Sequence, residues 1–144
     1  MSLQRLGRIA ATAIALLLVV GQTAALGAER TTITITVVNE VETFTATGSI
    51  LCPSGTATTD FHHFGGGGAA GSFHLTKTLV CADGSGSFTI GVNAATVFGW
   101  PTDQGGWFVV GGTGDYENLR GGGNLVGTYI PNGIIDVYTG VVQN

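Results

Sequence analysis

The sequence predicts an all-β fold, a single small closed antiparallel barrel of about eight strands. Three observations predict it. Beyond residue 28, apolar and polar residues alternate with period two in one short run after another, which is the pattern of half-buried strands. Glycine, proline, asparagine and aspartate separate the runs at short intervals, as turns require. No stretch in that region carries the apolar spacing of an amphipathic helix. Closure is expected because a barrel leaves no exposed strand edge.

The runs follow in order. "TTITITVVN" sets Ile33, Ile35 and Val37 against Thr32, Thr34 and Thr36, and "ETFTATGSI" sets Phe44, Ala46 and Ile50 against Thr43, Thr45 and Thr47. "TATTDFHHF" is a weaker strand followed by a hinge-like "GGGGAAG". "SFHLTKTLVC" alternates Phe73, Leu75 and Leu79 with His74, Thr76 and Thr78, and "GSFTIGVN" groups Phe88, Ile90 and Val92. Residues 94–104 read as irregular around Trp100-Pro101. The alternation resumes in "GWFVVGG", "GGNLVGTYI" and "IIDVYTGVVQ", with Pro131-Asn132-Gly133 as a tight turn between the last two. Gly48, Gly91, Gly127 and Gly140, inside the runs, are expected to mark the sharp bends of a small barrel.

Residues 1–28 read as a secretory signal peptide and residues 29–144 as the barrel domain. Arg5 and Arg8 open the segment, Ile9–Val20 form an uncharged apolar run, and small residues follow. The apolar run is short for a membrane span of ~20 residues, and cleavage is expected between Ala25 and Ala28. Without residues 1–28 the chain has three basic and nine acidic residues, a formal net charge of −6. Such a chain has no basic footprint for nucleic acid or an anionic membrane surface. A secreted location is therefore expected. Export makes a disulfide the default for the two cysteines, Cys52 and Cys81, and there is no Cys-x-x-Cys redox motif.

The Gly-rich stretch "GGTGDYENLRGGG" at residues 111–123 resembles a phosphate-cradling loop only superficially. Such a loop leads from a strand into a helix N-terminus. Here Glu117 stands where a third glycine is needed, no Gly-Lys-Ser/Thr follows, and the chain continues into another strand. The stretch reads as a strand–turn–strand corner. Gly112 and Gly114 supply positive φ or close packing, and Tyr116 and Leu119 plug the barrel end.

Those same residues carry a resemblance. "VVGGTGDYENLRG" resembles the "VVGGTG-x-F/Y-x-x-x-R-G" motif of plant dirigent proteins and is similar to the "GG-S/T-G-x-F/Y" stretch of allene oxide cyclases. It is closest in style to small secreted bacterial proteins with "GTG-x-Y-x-x-L-x-G-x-G" followed by "D-x-Y-x-G", here Gly112 to Gly123 and then Asp136, Tyr138 and Gly140. The resemblance covers roughly residues 104–142. It implies an eight-stranded barrel able to hold a small apolar molecule, with cofactor-free steering of a cyclisation as one use. It also implies ligand-facing roles for Asp115 and Arg120, which occupy the motif's acid and Arg-Gly positions.

Other candidates come from the residues themselves. Asp136 and Tyr138 share a strand face with Ile134 and Val142, while the opposite face, Ile135, Val137, Thr139 and Val141, is more apolar. If the first face points inward, Asp136 and Tyr138 line the interior. Asp136 then has a raised pKa unless Arg120 or a hydroxyl supports its charge, and it could protonate or orient a carbonyl ligand. The other reading is a buried carboxylate satisfied for structural reasons. Trp100 and Trp107 either fill the core or, at a barrel mouth, grip a ligand. His62, His63 and His74 with Asp60 are not expected to form a metal set, because adjacent histidines in an unbroken strand face opposite ways. No metal or cofactor is expected. The sequence leaves two functions open: a barrel that holds a small apolar ligand, with or without a cofactor-free cyclisation or isomerisation, and a non-catalytic exported module with a side-chain-filled barrel.

Overall fold

The structure, a computed structural model, describes residues 27–144. The leader expected over residues 1–28 lies outside them except for Gly27 and Ala28. The described chain is all-β: β1 (Glu29–Val38), β2 (Val41–Ala46), β3 (Ser54–Gly67), β4 (Ala70–Cys81), β5 (Gly86–Val97), β6 (Thr102–Gly114), β7 (Arg120–Ile130) and β8 (Gly133–Gln143). Each strand pairs antiparallel with the next, and β8 returns to β1 to close the barrel. The stretch expected to be irregular around Trp100-Pro101 is shorter than residues 94–104. β5 runs on to Val97 and β6 starts at Thr102, because backbone pairing between the strands carries Ala94, Ala95 and Thr96 against Gly105, Gln104 and Asp103. "GGGGAAG" is likewise mostly strand, with its turn at Gly68-Ala69.

Period two decides what fills the interior. Ile33 and Ile35 of β1, Phe44 of β2, Leu75 and Leu79 of β4, Phe88, Ile90 and Val92 of β5 and Leu125 of β7 all point inward and are buried. On β8 the inward face is the less apolar one. Asp136, Tyr138 and Val142 are buried, whereas Val141 is exposed. Two bulges reset the alternation. One falls between Phe61 and His63 on β3, so Phe61 opposite Leu75 and Phe64 opposite Phe73 both face the interior despite their odd spacing. His63 and His74 consequently stack on the outside, ring centroids 6.2 Å apart. The other lies opposite Thr89 and Ile90, and it turns Gly112 inward opposite Phe88.

The two ends of the barrel differ. At the end holding the β6–β7 corner, Leu51, the Cys52–Cys81 disulfide, Tyr116 and Leu119 fold under the sheet and are buried. Phe88 packs at 5.9 Å from Phe44 and 5.4 Å from Tyr116, ring centre to ring centre, and the Tyr116 hydroxyl is 2.9 Å from Ser85 Oγ. This half is filled by side chains.

The glycines of the corner are structural. Gly114 has φ +61, and a Cβ there would overlap the Ser85 carbonyl oxygen and stand 3.1 Å from Gly86 Cα. A Cβ at Gly112 would overlap the Tyr116 carbonyl and stand 2.9 Å from Ser87 O. Gly114→Val is therefore expected to cost about 2 kcal/mol or more, read as a lower denaturation midpoint at unchanged slope. Of the glycines expected to mark bends, Gly48 does lie at one, in the β2–β3 loop at φ +101 rather than within a strand, and Gly91 makes room for the ring of Phe108 on the outer face.

Candidate functional site

The opposite end is open. A cavity of about 720 Å³ begins at the mouth and ends midway down the barrel, above the filled half. Its wall is apolar: Val37, Phe61, Phe64, Phe73, Leu75, Val92, Leu125 and Ile134, with Phe98 and Trp100 from the β5–β6 connection. Several of these stay exposed at the rim, Phe61 at 70% and Trp100 at 63%. Phe64 and Phe98 approach to 6.4 Å across it. Large exposed aromatics gathered around a concavity mark a binding surface rather than ordinary surface scatter.

The polar groups are few and converge on one side. Lys77, the chain's single lysine, is 4% exposed and points inward from β4, in step with Phe73, Leu75 and Leu79. Its Nζ donates to Thr59 Oγ1 at 2.7 Å and to Glu42 Oε2 at 3.0 Å, and lies 3.7 Å from Asp136 Oδ2. Thr59 in turn donates to Glu42 Oε2 at 2.8 Å. The Tyr138 hydroxyl donates to Asp136 Oδ2 at 3.2 Å, and the Tyr129 hydroxyl to Asp103 Oδ2 at 3.3 Å. Asp103, Gly127 and Asp136 lie side by side on β6, β7 and β8. A Cβ at Gly127 would overlap Asp103 Oδ1 and stand 2.8 Å from Asp136 Oδ1, so only glycine lets both carboxylates occupy this place.

Electrostatics follow from this crowding. Burial raises the Asp136 pKa; Lys77 opposes the shift, and the neighbouring Asp103 adds to it. Burial also raises the Asp103 pKa, with the Tyr129 hydroxyl opposing. Burial first, and then the Asp136 charge, push the Tyr138 phenol beyond its ordinary range, so it remains a donor at any physiological pH. The arrangement can receive a hydrogen-bonding group at the end of an apolar body, and burial raises the pKa of two of its carboxyls.

Of the residues singled out in the sequence, Asp136 and Tyr138 line the cavity and Trp100 stands at its rim. Trp107 lies behind it, buried, edge-on to Tyr138 at 6.3 Å and donating through Nε1 to the Thr139 carbonyl at 3.2 Å. Asp115 and Arg120 lie elsewhere. Both are exposed at the corner of the filled end, because β6 and β7 carry them the length of the barrel away from the cavity. Of the two supports expected for Asp136, the hydroxyl is present, from Tyr138, whereas Lys77 stands in place of Arg120. His62 is exposed and lies 3.0 Å from Thr76 Oγ1, and His74 pairs with Asn93. Among the described residues no group of three or more His, Cys, Asp or Glu side chains is placed to hold a metal.

Sequence reasoning missed Glu42, Thr59, Lys77 and Asp103. A signal for Lys77 and Glu42 was present: each is the charged member of an otherwise apolar alternation, with Leu75 and Leu79 or with Phe44. Asp103 was hidden in the stretch read as irregular.

No family model, curated protein or solved structure gives a match to this chain.

Proposed function

We propose that this protein is an exported barrel that holds one small, largely apolar molecule in its open half. The apolar body lies against Phe61, Phe64, Phe73 and Trp100, and a polar group turns toward Asp136 and Tyr138. The observation that carries this reading is the cavity of about 720 Å³, apolar in its wall and provided with a few convergent polar groups. Small-molecule sites have this size and composition. Buried carboxylates are costly in a barrel meant only to be filled. The signal-peptide pattern of residues 1–28 and the Cys52–Cys81 disulfide support export. The likeness of the Gly112–Gly123 motif to allene oxide cyclases and dirigent proteins supports a ligand-holding use of the barrel. The uncharged fluorophore N-phenyl-1-naphthylamine is expected to bind saturably, one per chain. Thr96→Trp, which fills the mouth, should weaken it by roughly tenfold or more. Equal affinity in this variant and the wild type would place the fluorophore elsewhere and remove the reading.

A second reading, a cofactor-free cyclisation or isomerisation of the bound molecule, is favoured by one observation. Burial raises the pKa of Asp136, which is hydrogen-bonded to a phenol at the cavity wall. In that case Asp136→Asn abolishes turnover while ligand affinity persists. If the barrel only binds, the substitution changes affinity or stability alone.

A further inference from the structure

Resting on the reading of the open half as a small-molecule site, we propose that the molecule it takes is an apolar organic amine, its protonated nitrogen received by Asp103 beside Asp136. The cavity holds three carboxyl side chains, Glu42, Asp103 and Asp136, against the single ammonium of Lys77. That ammonium is already hydrogen-bonded to Thr59 at 2.7 Å and Glu42 at 3.0 Å and ion-paired with Asp136 at 3.7 Å. Asp136 has Tyr138 as well. Asp103 has a single side-chain donor, the 3.3 Å bond from Tyr129 to its Oδ2, with the backbone N–H of Gly127 also lowering its pKa.

The other Asp103 oxygen, Oδ1, is buried on a residue 3% exposed, and among the described residues nothing donates to it. A buried acceptor left unpaired is expensive, more so on a charged group. Oδ1 occupies the space that a side chain at Gly127 would fill, and Asp103 lines the cavity. The same missing side chain keeps Asp136 Oδ1 within reach of whatever meets Asp103. A ligand ammonium beside Asp103 supplies a donor and also a positive charge, which offsets the burial that otherwise disfavours the ionised form of these carboxyls. A ligand alcohol supplies the donor without the charge, and a ligand carboxylate meets repulsion. The exposed faces of Phe61 and Trp100 at the mouth suit the same class, because an aromatic face attracts an approaching cation and then shelters its apolar body.

Calorimetric titration with 4-phenylbutylamine, 4-phenylbutan-1-ol and 4-phenylbutyrate at pH 7 and low salt tests this. The amine is expected to bind roughly tenfold or more tighter than the alcohol, with the carboxylate weakest. Asp103→Asn should bring the amine to within about threefold of the alcohol and leave the alcohol itself within about twofold of its wild-type affinity. Alcohol binding thus reports that the variant is folded, and the wild-type comparison stands even if it is not. An amine no tighter than the alcohol overturns the amine assignment and leaves the small-molecule site intact. An amine preference that survives Asp103→Asn in folded protein also overturns it. Failure of all three probes, together with N-phenyl-1-naphthylamine, overturns the site and the assignment with it.

Discussion

Lys77→Met is expected to destabilise the barrel by about 3 kcal/mol near neutral pH, with a loss that shrinks as pH falls. The methionine fills the volume of the lysine stem, so packing is nearly kept and the change isolates the charge. What it removes is the cation between Glu42 and Asp136, whose side chains are 14% and 8% exposed. Breaking a buried pair from one side costs about 3–5 kcal/mol because the surviving charges stay desolvated. The lower figure applies here because the cavity opens to solvent. The pH dependence has a definite sign. Burial raises the pKa values of Asp103 and Asp136 above the ordinary carboxylate range, so the native state binds more protons than the unfolded chain. The stability these two carboxyls contribute is therefore highest below that range and falls as pH rises through the shifted values. Removing Lys77 takes away the cation that opposes those shifts, so the fall should be steeper in the variant. Urea midpoints measured from pH 4 to pH 8 on both proteins check the magnitude and the slope.

Removing the disulfide, by Cys52→Ala with Cys81→Ala or by reduction, should cost roughly 3–4 kcal/mol. The bridge spans a sequence separation of 29 and ties the β2–β3 loop to the end of β4. That loop carries Leu51 into the closed end, and β2 meets β3 over a short register, Thr43–Thr45 against Ser54–Thr56. The bridge thus guards the weakest seam of the barrel. Loss of protection should appear first in the amides of residues 47–56, by hydrogen exchange, before the strands β4 to β8 are affected. Titration of the unreduced protein should find no free thiol.

Much of the fold was legible because period two survives in the sequence. The eight strands, the turn at Pro131–Gly133, the inward Tyr116 and Leu119 and the cysteine pair follow from residue type and spacing. Three things were not legible. Alternation separates the faces of a strand without saying which is inside, and on β8 the more apolar face is outside, because the interior at that level is the cavity and not the core. A bulge reverses alternation without a residue signature. Nothing in "DFHHF" announces that Phe61 and Phe64 line one wall. Finally, the juxtaposition of Asp103, Gly127 and Asp136 exists only through the pairing of β6, β7 and β8, so no local pattern could reveal it. The motif residues Asp115 and Arg120 show the converse. A strong local pattern located the corner, and the corner lies at the end away from the cavity.

If one half of the barrel is filled and the other takes a ligand, the two halves respond differently when methyl NMR spectra of the protein are followed through a titration with N-phenyl-1-naphthylamine. The methyls of Leu75, Val92, Leu125 and Ile134, which line the cavity, should shift on a single saturation curve. Those of Ile33, Leu79, Leu119 and Val142, buried in the closed half, should stay in place. Shifts confined to the second group or to the outward-facing Val110, Val126 and Val141, or no shifts at a saturating concentration of fluorophore, would contradict that division of the barrel.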